Sequence, residues 1–515
     1  MTSFKVKVKW GKETYPDVEL DTSEVPEVFR AQVFALTGVP TTRQKLLLKG
    51  ATLKPDTWDG AKLKNGALIV VMGSRDEDAL QEPEKKATFV EDMSEDQSNV
   101  AMDMPVGIKN LGNTCYLNAV VQCLKTVPEL HKAITEFRPT IATGNTGSSN
   151  VMLLNTIKAC YQTMDQGITP IPLLMVELFR ATFPRFAEQG EGGYMQQDAS
   201  ECWTELLRML QDSLSPQDPK ATKALFRSSL VEQYMSGELE SVWTCTEEGG
   251  ESPAKTFSTF HQLSCHISTD VKYLHTGLEA RLTESISKHS AALSRDALFK
   301  KKSLLTRLPA YLTVDMVRFF YKEKEAVNAK ILKDVKFPMM LDVFELCSSK
   351  LQNHLVPYRL HYKDMEERAL ETERCRKVGK MVPENERPKT KVIPYHFEND
   401  VGSCNSGFYQ LQAVLTHQGR TSSSGHYVSW VRFKGQFWLK CDDDEVSPVT
   451  EDEIMRLSGG GDWHCAYVLL YGPRPLTLLE DINIEPYDEP KDEATPEKQS
   501  SPEKPSSPEK QSSPE

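Results

Sequence analysis

The chain has no apolar run near the roughly 18 residues that cross a bilayer. Its opening, Met1-Thr2-Ser3-Phe4-Lys5, passes into alternating Val and Lys instead of the apolar stretch of a signal peptide. The expectation is an intracellular, cytoplasmic and nuclear protein with no transmembrane segment. Cysteine is sparse: 11 in 515 residues, irregularly spaced, with no Cys-x-x-Cys anywhere. That argues against a disulfide framework and for reduced thiols. It also withholds the paired spacing of a structural zinc site, so neither a metal nor a cofactor is expected. Basic excess is missing too: Lys and Arg number 61 against 73 Asp and Glu, a formal charge of -12. Nucleic acid and anionic lipid would find no positive surface to bind.

What is present divides the chain. Phe4 to Trp10 alternates as a strand, Gly11-Lys12 turns it, and Val18-Glu19-Leu20 resumes the pattern, which reads as a hairpin. Ser23 is placed to cap a helix with Val25, Phe29, Val33 and Leu36 on one face and Gly38 at its end. Strands follow at Gln44–Lys49 and Ala67–Met72. This ββαββ order over residues 1–74 resembles ubiquitin, down to the Gln44-Lys45-Leu46-Leu47-Leu48-Lys49-Gly50 segment. Met72-Gly73-Ser74-Arg75 has a single glycine where a conjugatable modifier needs a terminal pair, so the module reads as a fused docking domain.

Residues 75–104 carry ten acids against three bases and no apolar period, an acidic flexible linker. A folded domain is expected over 105–474, interrupted by the charged stretch Lys363–Lys391, whose pattern fits a solvated helix or a disordered insertion equally. From 475 to 515 the chain is expected to be a disordered Ser/Pro/Glu/Lys repeat tail, with Pro496, Pro502, Pro508 and Pro514 spaced by six.

The first chemical signal is Gly107 to Asn118. A turn at Gly112-Asn113-Thr114 delivers Cys115 to the start of a helix, where unpaired N–H groups and the helix dipole favour a thiolate. Asn110 lies close enough in sequence to donate to an oxyanion. A base is offered by His426, which a Ser and Gly loop hands to the first position of the strand His426-Tyr427-Val428-Ser429-Trp430. After a hairpin at Lys434-Gly435 the returning strand ends in Asp442-Asp443-Asp444. Asp442 can then fix the imidazole tautomer. His417, His464, Cys123, Cys160 and Cys202 read as ordinary surface or core residues.

These boxes resemble the ubiquitin-specific protease family of cysteine deubiquitinases. Besides the cysteine and histidine boxes, Tyr194-Met195-Gln196-Gln197-Asp198-Ala199-Ser200-Glu201 is similar to the family's Gln-Asp box. Pro309 to Leu312, Arg318-Phe319, Lys330 and Val335 to Pro338 are similar to its central strand motif. The resemblance implies an α+β architecture, a ubiquitin-like β-grasp domain followed by a papain-like catalytic domain with fingers, palm and thumb. It implies hydrolysis of the isopeptide bond after ubiquitin's terminal glycine by Cys115, His426 and Asp442, with Asn110 at the oxyanion and Asp443 assisting. Gln197, Asp198, Tyr427 and Phe319 would line the groove for ubiquitin's basic tail.

Within the family, the amino-terminal domain, Phe319 to Glu325, and Gly459-Gly460-Gly461 before Asp462-Trp463-His464 are similar to the proteasome-associated branch. That implies a monomer whose residues 1–74 bind the regulatory particle of the 26S proteasome, with polyubiquitin conjugates as substrates, trimming chains and recycling ubiquitin. Arg420–Ser424 and Arg318–Lys330 would cover the tail groove until docking moves them. In the fingers, isolated Cys245 and Cys265 replace the zinc-binding pairs of many members. The competing reading is a catalytically silent ubiquitin-binding adaptor, which would have no need to keep Cys115, His426 and Asp442.

Overall fold

The computed structural model describes residues 3–54, 57–58, 63–74, 104–138, 148–216, 227–322, 327–377, 389–421, 424–435, 437–461, 463–485 and 487. The linker expected at 75–104 lies outside them except for its last residue, and of the tail expected over 475–515 so do 486 and everything beyond 487. The first part of that tail is not disordered: Leu476–Leu479 is a strand paired with Thr390–Ile393, because Leu476 and Leu478 are apolar side chains that bury against the catalytic unit. Two compact units emerge, residues 1–100 and 101–515.

In the first unit, β1 (Ser3–Trp10) and β2 (Glu13–Asp21) form the expected antiparallel hairpin. Helix α1 (Pro26–Thr37) and strands β3 (Lys45–Leu48), β4 (Ala51–Thr52) and β5 (Leu68–Met72) complete it. The order β2-β1-β5-β3-β4, with β5 parallel to β1, is a β-grasp. Val6, Val8, Phe29, Val33, Leu46, Ile69 and Val71 form its core. The helix start differs from the sequence reading. Ser23 bonds Asp21 instead of capping, and Pro26, which needs no N–H partner, opens the helix after an uncapped Val25. Two apolar stripes share Phe29 and Val33. Packing on the sheet chose the one with Pro26 and Thr37, leaving Val25 and Leu36 exposed. Gly38 closes the helix in the left-handed region at φ 73°.

The second unit opens with a helical lobe: α2 (Cys115–Lys125), α3 (Pro128–Glu136), α4 (Ser149–Asp165), α5 (Leu173–Thr182) and α6 (Ala199–Ser213). A short ladder of β6 (Gln189–Gly190) and β7 (Gly193–Tyr194) precedes α6. Every residue of α2 from Cys115 to Leu124 is buried, as fits a helix enclosed on all sides.

After α7 (Leu230–Met235), strands β8 (Gly237–Cys245), β9 (Ala254–Phe260), β11 (Thr283–Ser290) and β12 (Arg295–Arg307) form a four-stranded sheet ordered β11-β12-β8-β9, in the place expected for fingers. Between them come β10 (Gln262–His266) and α8 (Leu274–Leu282).

The palm is a larger sheet. It joins β10 to β13 (Leu312–Val317), then to β22 (Cys465–Pro473), β18 (Phe408–Gln418), β19 (His426–Arg432), β20 (Trp438–Asp442) and β21 (Glu445–Val449). A separate hairpin, β14 (Phe319–Lys322) with β15 (Val327–Lys330), follows β13; β16 (Met340–Asp342) pairs with β18 off the main path, and β17 (Thr390–Ile393) pairs with β23 (Leu476–Leu479). Of the charged stretch left open between helix and insertion, the first part is helical, belonging to α9 (Ser349–Lys377). Residues 378–388 lie outside the described residues. The helical lobe and the palm meet where α2 packs on β19, which brings the cysteine and histidine boxes together.

Candidate active site

The turn before α2 is built by Asn110. Its side-chain oxygen accepts from Gly112 N (2.8 Å), Thr114 Oγ1 (3.1 Å) and Thr114 N (3.4 Å), folding the chain back so that Cys115 becomes the first helical residue. Thr114 makes no side-chain cap, so the positive end of α2 is left unmasked beside the sulfur. Two donors reach Cys115 Sγ: Gln196 Nε2 at 2.9 Å and the backbone N–H of Tyr427 at 3.4 Å. The thiol is buried.

His426 opens β19 and its Nε2 meets Asp442 Oδ1 at 2.5 Å, while Lys440 Nζ meets the other carboxylate oxygen at 2.7 Å. The hydrogen bond to Asp442, followed by the one to the Cys115 sulfur, holds the imidazole pKa well above its ordinary range. The same bond to His426 holds the Asp442 carboxyl well below its own. The neighbouring histidines behave oppositely: burial pushes His417 down to about 3 and His464 to about 4. Of the three, only His426 is set up to carry a proton at neutral pH, although the His464 ring is 6.3 Å away.

Asp443 fastens the two boxes. It sits at φ 56°, its carboxylate accepts from Asn110 Nδ2 and Asn118 Nδ2 (2.8 Å each), and its carbonyl accepts from Ile108 N at 2.8 Å. Gly107 allows this approach, since a Cβ there would lie 2.1 Å from that carbonyl. Asn110, the expected oxyanion donor, thus has its amide on Asp443. His426, Asp442 and Asp443 are the one group of possible metal ligands among the described residues. Both carboxylate oxygens of Asp443 are already engaged by the asparagines.

Of the expected groove residues, Asp198 caps α6, accepting from Ser200 N (2.7 Å) and Glu201 N (3.3 Å), and both its oxygens accept from Tyr467 Oη (2.8 and 2.7 Å). Burial raises its carboxyl. Ser200 Oγ donates to Asp315 Oδ1 at 3.0 Å, and burial, with the charge of Asp198, pushes Asp315 up to about 6. Phe319 packs edge-on against His417 and Tyr467, with 5.4 Å between centroids in each pair. Tyr427 is buried and Gln197 half-buried. The sequence reading missed Gln196, Asp315, Tyr467 and the Tyr427 N–H. Gln196 belongs to a box that was recognised, but nothing in its pattern separates it from Gln197.

The family profile described as "Ubiquitin carboxyl-terminal hydrolase" matches residues 106–471. Ubiquitin carboxyl-terminal hydrolase 7 of Arabidopsis thaliana is 37% identical over 489 residues, 92% of this chain and 99% of the relative. Ubiquitin carboxyl-terminal hydrolase 14 of Caenorhabditis elegans is 38% identical over 486 residues, 93% and 95% of the two chains. Ubiquitin carboxyl-terminal hydrolase 6 of Schizosaccharomyces pombe is 36% identical over 486 residues, 90% and 98%. Likeness on this scale, reaching across both units, makes the chain a member of the ubiquitin carboxyl-terminal hydrolase family, a ubiquitin-specific protease of the cysteine type.

Proposed function

We propose that the protein is a proteasome-associated deubiquitinase that trims chains from proteasome substrates and recycles ubiquitin, working as a monomer in the cytoplasm and nucleus. Cys115 attacks the carbonyl of ubiquitin's terminal glycine. His426 protonates the departing lysine amine and then activates the water that cleaves the thioester, and Asp442 orients His426 throughout. Asn110 donates to the oxyanion through whichever amide hydrogen Asp443 leaves free. Gln197, Asp198, Tyr427 and Phe319 receive the extended ubiquitin tail. The observation that carries the reading is the imidazole of His426, held between the Asp442 carboxylate and the Cys115 sulfur.

Gating by docking is supported by one contact. Lys330, at the end of the β14–β15 hairpin, donates its backbone N–H to Arg420 O (3.0 Å) and its Nζ to His417 O (2.5 Å), so the hairpin and the loop before His426 are tied to each other. A partner that moved one would move both. Leu68 and Met72, exposed on β5, give the β-grasp unit an apolar face for docking on the regulatory particle.

The test is hydrolysis of a fluorogenic ubiquitin C-terminal amide by the purified protein, alone and with proteasomes whose own deubiquitinases are blocked. Activity that rises with proteasomes and disappears in Cys115→Ala is expected. Ubiquitin binding with no hydrolysis in either condition would favour the adaptor instead.

A further inference from the structure

Gln196 is difficult to explain as a packing residue. Its side chain is buried, yet its amide oxygen has no hydrogen-bond partner among the described residues. Burying an unsatisfied amide oxygen is a net cost to the fold, which an apolar side chain of similar size would avoid. The bonds that Gln196 does make leave from the other end of the amide. Nε2 donates to Cys115 Sγ at 2.9 Å and makes a longer contact to Gly425 O at 3.4 Å. Both acceptors belong to the reacting centre, since Gly425 immediately precedes His426. The residue is the middle one of three, Met195 to Gln197, between β7 and the Asp198 cap of α6, so α6 fixes where its backbone lies.

Asn110 is the counterpart that throws this into relief. Its side-chain oxygen is used three times to shape the turn, and its Nδ2 is bound to the Asp443 carboxylate. The amide already aimed at the sulfur is that of Gln196.

We propose that Gln196 is a catalytic residue whose Nε2–H group follows the negative charge through acyl transfer. In the resting enzyme it donates to the sulfur. When the C–S bond forms, the carbonyl π pair moves to oxygen, and the new oxyanion lies one bonded carbon away from the sulfur, within reach of the same N–H. Collapse returns that pair to the carbonyl, breaks the C–N bond, and sends the amine off with the proton from His426. Gln196 gives up no proton and forms no covalent bond. Its contribution is a hydrogen bond that is strongest while charge is localised on sulfur or oxygen. The assignment rests on Cys115 being the nucleophile.

Two apolar replacements of similar reach, Gln196→Met and Gln196→Leu, test it, each read for kcat, KM and melting temperature. Loss of a donor from an oxyanion site lowers kcat by roughly 10²-fold. The expected result is a fall of that order in both variants with KM within about twofold and a melting temperature unchanged or raised, because the orphaned oxygen is gone. Iodoacetamide alkylation of Cys115, which needs no ubiquitin, is expected to show its acid limb displaced to higher pH in both. A kcat within threefold of the parent, or a loss that tracks a lowered melting temperature with the alkylation profile in place, overturns the proposal. If instead Cys115→Ala still hydrolyses the amide, the nucleophile assignment itself fails, which the Gln196 variants alone would not reveal.

Discussion

The proton of His426 is held from two sides. The Asp442 carboxylate accepts from one ring nitrogen and the Cys115 sulfur lies against the ring as a second partner, so the charged imidazolium is favoured over the neutral ring. A raised histidine pKa contributes stability that is complete below the unfolded value of about 6.5 and is lost as pH climbs through the folded value. The depressed Asp442 contributes above about 3.9 and loses its share as pH falls. The pair is therefore fully formed across the neutral range. Asp442→Asn keeps the shape and removes the accepting charge. The alkaline limb of kcat/KM is expected to move to lower pH, with activity at neutral pH reduced by roughly 10²–10⁴-fold. An alkaline limb that stays where it was would show that Asp442 does not set the state of His426. The residues of this pair were legible in the sequence because each ends or begins a strand next to a glycine or an acidic turn. The choice of Gln196 over Gln197 was not, because both fall on an irregular approach with no period to say which side chain faces inward.

At the scale of elements, the clearest departure from a well-satisfied interior is where α6 meets β13. Asp198 and Asp315 are bridged by Ser200, and the hydroxyl of Tyr467 donates to Asp198, but no basic side chain forms an ion pair with either acid among the described contacts. Burial drives both upward, Asp315 to about 6. An acid whose pKa is raised in the fold binds more protons folded than unfolded, so stability falls as pH rises from about 4 toward 6 and stays reduced above it. Asp315→Asn removes this penalty. The expected outcome is a gain on the order of 2 kcal/mol at pH 7.5 that falls to about half by pH 5 and shrinks toward zero near pH 3.5, read by urea unfolding at the highest and lowest of these values. An equal effect at both would mean that the charge is not what costs. The sequence did not disclose this acid. Leu312 to Val317 reads as a buried palm strand, and nothing local places Asp315 against a helix cap more than a hundred residues earlier. The start of α1 has a similar moral, since two apolar stripes sharing Phe29 and Val33 were equally good until the sheet chose between them.

At the scale of the whole molecule, the two units keep separate cores. The first is built around Val6, Val8, Phe29, Val33, Leu46, Ile69 and Val71. The second has a helical cluster around Leu117, Val121, Phe179 and Trp203 that extends to Tyr427 and Leu439, and a palm cluster around Val314, Leu411, Val428 and Trp438. Strand β19 contributes to both of these, so the catalytic unit is expected to unfold cooperatively, whereas the β-grasp unit melts on its own account. Phe29 tests this because it is buried, packs edge-on against Trp58 at 6.2 Å, and belongs to neither cluster of the catalytic unit. Phe29→Ala removes about 3–5 kcal/mol, most of what a domain of this size has. Calorimetry is expected to lose or lower one transition while the other keeps its midpoint. Basal hydrolysis of the ubiquitin amide should be unchanged and stimulation by proteasomes abolished. If the variant melts as described yet is stimulated as well as the parent, docking through residues 1–74 is wrong, whatever the active site does. If basal hydrolysis falls along with the first transition, the two cores are coupled, and activation must be sought in the fold of the whole chain instead of in a detachable docking domain.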